Sequence, residues 1–577
     1  MERLIMTPAA DIDRSRFDTG ARPVPSQLRR RGTVEMRHRL ITAALLLLLP
    51  LSLFCAFFHP ATLLIDNAGW LIRGTDNGEN ALGAHAYWHD PAAGASLKTG
   101  LLNAPDGVSV LYTDSNPLLT LIVKPFAGLL PNDAQFVGVF ILLSLILQAL
   151  FAWLLLRRYA PGRVALWGGV MMLAFPPTLA NRFVHVNLMA HWTILAALCL
   201  FLDERRGERL RWWAPLIAIT ALIHSYLLIM VGAIWASTMM ARFTRCRGRA
   251  RPMIVLEGLI VVGMVALLAW WLGVSDQEAA GNIGAFSMPL DALWNPALGH
   301  FTNLLPAHET VPNHDFEGFQ YLGAGGLLLV ATAIVIACRL PATAAEQDAR
   351  HRLRQLAPAL IVLGILAILP THLPQTVRIL LDPVRASGRM FWPVGYVLIL
   401  GAVLAVFRLS ASRAALALIG MIAVQTIDLT GMAGDIRAQS EQADKHQLFI
   451  QTLDPRWDKL IGQSRSVAFM PADVTRNLAV FQEVAWRAVN AGRPTSNVYA
   501  ARTGRATIQR LRAERAAFDR GELVPGRLYV TAPGTPLPAA AAPYQLQLDG
   551  IAVVAVVDRP IAAVTIKAID PPRASPL

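Results

Sequence analysis

A polar stretch, GTDNGENALGAHAYWHDP (Gly74–Pro91), concentrates acids and histidines in a chain that is otherwise strongly apolar. Asp76 and Glu79 are three residues apart, so on a helix both carboxylates would share one face. A carboxylate beside a membrane surface can accept the proton of a sugar or lipid hydroxyl as that hydroxyl attacks, and partial burial tunes its pKa for this task. Both residues are therefore candidates for a general base, with ordinary solvated loop acids as the alternative.

A third candidate carboxylate, Asp114, lies in YTDSNP (Tyr112–Pro117). Turn formation and helix capping are the competing explanation for that motif. His85 and His89 are four apart, which is the spacing of metal ligands on one helix face. Because no third His or Cys follows at matching spacing, packing at a membrane interface explains the pair better. We expect neither a divalent metal nor another cofactor.

Arginines in LPQTVRILLDPVRASGRM (373–390) lie on the predicted outer side of the membrane, against the usual distribution of positive charge. Guanidinium groups bind phosphate oxygens bidentately, so Arg378, Arg385 and Arg389 suggest contacts to a lipid-linked phosphate. Salt bridges or lipid headgroups are the alternative. Lys124, in the apolar segment 116–130, could join this cluster or extend to the interface.

Further polar residues flank apolar stretches, where side chains usually face the bundle interior or a cavity. We predict that they contact a sugar or an acceptor, although interior histidines with satisfied hydrogen bonds are common. These residues are His185, His191, His224, Glu317 and Tyr321.

The composition indicates what must position these residues. Of 577 residues, 54% are hydrophobic and 16% are charged, whereas soluble domains carry about 25% charged residues. The net charge of +13 comes from arginines in short blocks between apolar stretches. Blocks of this kind orient membrane helices, so we predict a polytopic membrane protein that does not bind nucleic acid.

Apolar stretches predict about eleven membrane spans. Trp212–Ala241 is predicted to form two helices that meet near His224, because a single helix would put later arginine blocks on the other side. The candidate spans are 40–58, 136–156, 164–181, 188–203, 212–225, 227–241, 253–273, 321–338, 356–372, 391–407 and 414–430.

This arrangement defines three predicted regions. Residues 1–38 form a disordered cytoplasmic tail, and residues 39–430 form the membrane domain with large outer loops at 58–135 and 274–320. Residues 431–577 form a soluble domain on the outer side. Alternation in SVAFM, RLYVT and GIAVVAVVD predicts strands there, and 476–490 and 503–518 are predicted helices, so this domain is of the α/β class.

Several stretches together resemble the GT-C type of membrane glycosyltransferase. More closely, the chain is similar to a bacterial integral-membrane family labelled only as a domain of unknown function. The likeness covers about residues 40 to 400, on GTDNGENALGAHAYW, DGVSVLYTDSNPLLTLIVKP, HVNLMAHW, IHSY, EGFQYLG and ASGRMFWP.

The resemblance implies a GT-C-like bundle in the bacterial inner membrane, with a periplasmic C-terminal domain. It implies transfer of a sugar from a polyprenyl-phosphate carrier to an envelope glycan or protein. Asp76 takes the catalytic role with Glu79 or Asp114 assisting, and Arg389 is the best match for the phosphate contact, followed by Arg385 and Lys124. A transporter or flippase for lipid-linked glycans and a non-enzymatic envelope assembly protein are the alternatives.

Overall fold

The computed structural model describes residues 25–94, 96–248, 250–274, 284–297, 301–311, 314–369, 374–376 and 385–556. Within these ranges the chain is mainly helical, with a small sheet near the C-terminus. Packing divides it into two compact units, 1–49 and 50–577. The candidate site lies in the second. Arg378, part of the predicted 274–320 loop and most of the predicted tail lie outside the described residues.

Seven helices are long and apolar enough to cross a membrane, which confirms the prediction of a multi-pass membrane protein at this coarser level. They span Met36–Phe57, Val137–Leu156, Ser225–Arg245, Ala250–Trp271, Ala344–Ile368, Ser387–Val406 and Ala411–Asp428. Secondary structure places the start of the first at Pro25, and divides Ser387–Val406 into a 3-10 turn (Ser387–Phe391) and a helix (Trp392–Val406).

The number of eleven spans is not confirmed. Arg163–Ala174 and Pro177–Val184 are bent by 43° against each other and would count as an eighth span if they form one. Three further predicted spans correspond to apolar helices of 10–17 residues, Val186–Leu202, Leu210–Ile223 and Ala324–Arg339. Their length alone does not reach across a bilayer core about 30 Å thick.

The predicted break inside Trp212–Ala241 is confirmed. One helix ends at Ile223 and the next begins at Ser225. His224 lies between them in an extended conformation, and its Nδ1 accepts a hydrogen bond from Tyr226 N at 3.2 Å. A side chain that accepts from the first free amides of a helix fixes the start of that helix.

Outside the spans, two short helices and a small hairpin fill the 58–135 loop. Asp76–His89 is preceded by Thr75, whose hydroxyl accepts from Gly78 N, and it has Asp76 and Glu79 in its first turn. Both features favour a helix start at this position. Pro117–Val123 is the second helix, and β1 (Lys98–Thr99) pairs antiparallel with β2 (Val108–Ser109).

The C-terminal region contains the predicted small α/β fold. The predicted strands and both predicted helices are present. The strands are β3 (Ser466–Met470), β4 (Arg527–Thr531), β5 (Gln545–Leu548) and β6 (Ile551–Ala555), and the helices are Thr430–Ser440, Arg456–Gln463, Leu478–Asn490 and Arg505–Asp519. The sheet has the order β3-β4-β6-β5, with β3 and β4 parallel and the other neighbours antiparallel.

The C-terminal domain packs directly on the 58–135 loop. Gly74 N donates to Gln482 Oε1 at 2.8 Å, and Gln482 Nε2 donates to Thr75 O at 2.7 Å. The ring of His85 stacks on Trp486 with 3.9 Å between centroids. The start of the Asp76–His89 helix is therefore held by side chains from the far end of the sequence.

Candidate functional site

Asp76 is the first residue of its helix, and its carboxylate accepts one hydrogen bond and faces one imidazole ring. Tyr499 OH, from the C-terminal domain, donates to Asp76 Oδ1 at 2.9 Å. His185 Nδ1 lies 3.6 Å from Asp76 Oδ2. The Asp76 side chain remains 29% exposed. It is thus an oriented carboxylate that a bound molecule can still reach.

Two further carboxylates lie near Asp76 in less polar surroundings. Burial raises the pKa of Glu79 well above its usual range, and the charges of Asp114 and Asp76 raise it further. Glu79 Oε1 is buried and has no hydrogen-bond partner among the described residues. Burial likewise raises the pKa of Asp114 to about 7, despite a hydrogen bond from Asn187 that acts the other way. Three neighbouring carboxyl groups cannot all ionise cheaply, and burial together with two like charges opposes the ionisation of Glu79.

The backbone at Asp114 is fixed in an unusual conformation. Its φ of 50° lies in the left-handed region, which aspartate tolerates better than most residues. Asn187 Nδ2 donates to both Asp114 O and Asp114 Oδ1, at 2.6 and 2.9 Å, and Asn80 Nδ2 also donates to Asp114 O. His224 Nε2 lies 3.8 Å from Asp114 Oδ1. The YTDSNP turn thus fixes the direction of the Asp114 carboxyl group. A role in forming the turn and a role as a candidate carboxylate of the site are therefore compatible for Asp114.

Glu317 lies on the opposite side of the cluster, between two guanidinium groups. Arg389 donates to both of its carboxylate oxygens, with Nε to Oε2 at 2.7 Å, and Arg182 Nη1 donates to Oε2 at 2.7 Å. Although burial acts to raise it, these two cations hold the pKa of Glu317 well below its usual range. Arg389 also lies over the ring of Tyr226, with Cζ 4.7 Å from the centroid. This ion-pair network is buried and internally satisfied.

His185 connects the two sides. Its Nδ1 faces Asp76, and its Nε2 lies 3.7 Å from Glu317 Oε1. Burial and the nearby charge of Arg389 lower the pKa of His185 to about 4. The two nitrogens of this neutral imidazole thus face one carboxyl group each, and the ring separates Asp76 from the ion pairs of Glu317.

Close backbone packing holds Arg389 beside Glu317. A Cβ at Gly388 would lie 2.8 Å from Gly318 Cα and 3.0 Å from Glu317 O. Gln320 Nε2 donates to Gly388 O at 2.9 Å. Only glycine allows the two segments this approach, so the position of Arg389 depends on its neighbour in sequence.

Seven predicted site residues thus meet in one cluster. They are Asp76, Glu79, Asp114, His185, His224, Glu317 and Arg389.

Other predicted residues have different surroundings. His191 Nδ1 is 2.9 Å from Tyr396 OH in the buried core, and Tyr321 OH donates to Asp428 Oδ2 at 2.7 Å. The Lys124 ammonium donates to the carbonyls of Tyr87, Trp88 and Asp90. These carbonyls end the helix that begins at Asp76, and 14 residues place them about 20 Å from it.

Arg385 occupies an intermediate position. Its guanidinium lies over the ring of Phe286, with Cζ 5.6 Å from the centroid, and it is half-buried. Its charge acts on Tyr499, which brings it within electrostatic range of the Asp76 side of the cluster. Among the described residues no carboxylate forms an ion pair with Arg385, in contrast to Arg389 and Arg182, which both pair with Glu317.

His85 and His89 do not form a metal-binding pair with neighbouring acids. His85 Nε2 is 2.8 Å from Asn490 Oδ1, and His89 Nδ1 is 2.9 Å from His85 O. Within the described ranges no group of three or more His, Cys, Asp or Glu side chains is arranged to hold a metal ion. The helix face that carries both histidines packs on the C-terminal domain, through the stacking of His85 on Trp486.

Three further residues contribute to the cluster and are not among the predicted site residues. They are Arg182, Asn187, which donates hydrogen bonds to Asp114, and Tyr499. Arg182 carried a usable signal, since it is an arginine at the predicted outer end of a span, like Arg389. Tyr499 carried none, because it lies 423 residues from Asp76 in the chain.

Comparison with known families gives a match over both regions that build this cluster. The profile of a family described as "Domain of unknown function (DUF6311)" matches residues 47–430, and that of the "DUF6311 C-terminal domain" matches residues 456–556. The chain belongs to the DUF6311 family. No curated protein and no solved structure matches it. The predicted likeness to a membrane family of unknown function is confirmed, whereas the GT-C likeness stays a prediction.

The two DUF6311 regions meet at Asp76. All seven clustered residues, including Asp76, lie within 47–430, and Tyr499 lies within 456–556. The hydrogen bond from Tyr499 to Asp76 crosses from one matched region to the other. The DUF6311 C-terminal domain therefore contributes directly to the candidate site.

Proposed function

We propose that this DUF6311 protein is a membrane glycosyltransferase that moves a sugar from polyprenyl phosphate to a hydroxyl of an envelope glycan or protein. The observation that carries the proposal is the Asp76 carboxylate, which accepts a hydrogen bond from Tyr499, lies beside His185 and is 29% exposed. A general base must be fixed in direction and open to its substrate. Of the three neighbouring acids, Asp76 is the most exposed and meets both conditions.

In the proposed reaction the acceptor hydroxyl gives its proton to Asp76 as its oxygen attacks the anomeric carbon. The bond between that carbon and the carrier phosphate breaks, and the phosphate leaves with the bonding electrons. Because one base drives a single displacement, the configuration at the anomeric carbon inverts.

The leaving phosphate requires a cation that is not already paired. Arg389 and Arg182 are both engaged by Glu317, so we assign the phosphate contact to Arg385 and give Arg389 a positioning role. Lys124 has no part in this scheme, because its ammonium caps the far end of the Asp76–His89 helix. Stabilising charge on the leaving group is worth several kcal/mol in such transfers.

The finer topology belongs to the same proposal. If the three shorter apolar helices and the bent pair also cross the bilayer, the chain has eleven spans in a GT-C-like bundle. Short spans are tolerated inside bundles where neighbouring helices cover them. The cluster and the C-terminal domain would then face the periplasm of a bacterial inner membrane, with the N-terminus in the cytoplasm.

The test uses purified full-length protein with radiolabelled polyprenyl-phosphate glucose and polyprenyl-phosphate mannose. We expect Asp76→Asn to lower transfer by roughly 10²–10⁴-fold. Asparagine keeps an oxygen that can accept from Tyr499, so the fold is preserved. Asp66→Asn, at an exposed aspartate of the same loop, is the matched control and should be as active as wild type. Retained activity in Asp76→Asn would remove its assigned role, and an inactive wild type with both donors would count against glycosyl transfer.

A further inference from the structure

A cavity of about 710 Å³ lies at the junction of the 58–135 loop, a membrane helix and the C-terminal domain. The β1–β2 hairpin forms one wall with Lys98 and Val108. Trp270 and Trp271, at the end of the helix Ala250–Trp271, form the second. Segment 502–507, which leads into the helix Arg505–Asp519, forms the third. Its volume suits a small charged headgroup.

The charge of the lining is predominantly positive. Lys98, Arg502 and Arg505 contribute three cations, against the single carboxylate of Asp106. That carboxylate is already bound, because Arg510 Nε donates to Asp106 Oδ2 at 2.8 Å and Thr507 Oγ1 donates to it at 2.7 Å. Partial burial acts to raise the pKa of Asp106, but these hydrogen bonds hold it below its usual value. Lys98 and Arg505 therefore give the lining a positive charge that favours an anion.

The tryptophan wall places the cavity at the edge of a membrane. The helix Ala250–Trp271 is long and apolar enough to span a membrane, and most of its apolar residues are not buried against the rest of the protein. Trp270, near its end, is 73% exposed. Tryptophan is enriched at the boundary between hydrocarbon and headgroups. The exposed apolar helix can contact a lipid acyl chain, and the cationic cavity beside its terminal tryptophans can bind the phosphate of the same lipid.

The wall is fixed rather than loosely apposed. Ser109 Oγ donates to Leu272 O at 2.7 Å, which ties the end of the membrane helix to strand β2. Leu272 packs in one hydrophobic cluster with Val110 and Trp88 from the 58–135 loop. The tryptophans and Lys98 are consequently held on the same body of the protein.

We propose that this cavity binds the phosphate of an anionic phospholipid headgroup, with Lys98 and Arg505 as its cations and the lipid chains along the helix Ala250–Trp271. Both side chains are exposed at the cavity. Free phosphate would also bind the cations, but it would make no contact with the tryptophans or with the apolar helix. A phospholipid would contact all three features, so it explains more of the residues that line the cavity. The proposal does not depend on glycosyl transfer.

The test reconstitutes full-length protein in nanodiscs of phosphatidylcholine with increasing phosphatidylglycerol, and counts retained lipids by native mass spectrometry. We expect wild type to retain phosphatidylglycerol preferentially, and Lys98→Gln/Arg505→Gln to lower that preference by about tenfold. The matched control, Lys459→Gln/Arg512→Gln, removes one lysine and one arginine from exposed sites of the C-terminal domain outside the cavity. It should retain the wild-type preference.

Three results would overturn the proposal. The first is a wild type without preference for phosphatidylglycerol. The second is an equal loss in the two double variants, which would make the effect one of overall charge. The third is displacement of phosphatidylglycerol by millimolar inorganic phosphate, which would identify a free-phosphate site. Both double variants change exposed side chains only, so thermal unfolding close to that of wild type is expected in each and shows that the comparison is between folded proteins.

Discussion

Two buried glutamates of the candidate site have opposite electrostatic surroundings. Glu79 lies with Asp76 and Asp114, and its pKa is raised by burial and by like charge. Glu317 is comparably enclosed but accepts hydrogen bonds from Arg389 and Arg182, and its pKa is depressed. Burial opposes ionisation in both, so the neighbouring charges decide the sign. On one side of the cluster the surroundings thus favour the protonated carboxyl group, while on the other side they favour the carboxylate, whose charge the arginines neutralise.

The largest expected loss of stability comes from removing one of the two arginines that pair with Glu317. Arg389→Leu leaves the buried Glu317 carboxylate with Arg182 alone. We expect this to lower the free energy of unfolding by about 3–5 kcal/mol, because an undercompensated charge remains in the interior. Thermal and denaturant unfolding of detergent-solubilised protein would measure it.

Arg385→Leu is the control for that experiment. It removes an arginine only a few residues away in sequence, without a carboxylate partner among the described residues, and should cost less than about 1 kcal/mol. Equal destabilisation by the two substitutions would contradict the view that Glu317 depends on Arg389.

A smaller effect on stability is expected at Asp114, on the side of the cluster that carries Asp76 and Glu79. Its dependence on pH is opposite to that expected for Glu317. The pKa of Asp114 is raised to about 7. A raised pKa in the folded state gives stability that is complete below the unfolded value, roughly 3.9, and is lost as pH rises through 7. Asp114→Asn should therefore flatten the fall in stability between about pH 4 and 7, by on the order of 2–4 kcal/mol.

Glu317→Gln sharpens the contrast between the two sides. The depressed pKa of Glu317 gives stability that is present above its unfolded pKa and is lost as pH falls. Unfolding measured across pH 3–8 would separate the variants. Parallel pH profiles for Asp114→Asn and Glu317→Gln would mean that the two sides are not electrostatically distinct.

The smallest effect is expected at Tyr499, which links the C-terminal domain to the acidic side. Tyr499→Phe removes one hydrogen bond to Asp76 and should cost about 0.5–1.5 kcal/mol in stability. Under the proposed function it should also slow transfer several-fold, since Asp76 loses its orientation. Tyr544→Phe, at an exposed tyrosine, provides the comparison. A loss of transfer equal in the two variants would argue against a role for the Tyr499 hydroxyl.

Much of the fold was predictable because it follows from local patterns. Apolar length and arginine blocks located the membrane helices and the break at His224, and alternation located β3, β4 and β6. The number of spans was not settled, since short helices such as Leu210–Ile223 satisfy the apolar criterion without the length. Composition indicates hydrophobicity, but crossing a bilayer also depends on what covers the helix.

The sequence predicted which residues lie in the site better than it predicted which of them contact each other. Asp76, Asp114, Glu317 and Arg389 were all selected from residue type and placement, and they lie together. Their pairing was not foreseen: Arg389 was expected to contact a phosphate but is held by Glu317. The type of a side chain indicates which groups it can bind. Which group it does bind depends on distances in the folded protein, and these cannot be read from the spacing of residues in the sequence.

The sequence by itself determined a helical, multi-pass membrane protein with a polar loop after the first span and a small α/β domain at the end. It did so because hydrophobic length, charge blocks and strand alternation act locally along the chain. Only the tertiary structure decided that Tyr499 reaches Asp76 across 423 positions, and that Glu79 and Glu317 have opposite charge preferences. Pairing and pKa are set by burial and by neighbours in space, and the fold alone brings those neighbours together.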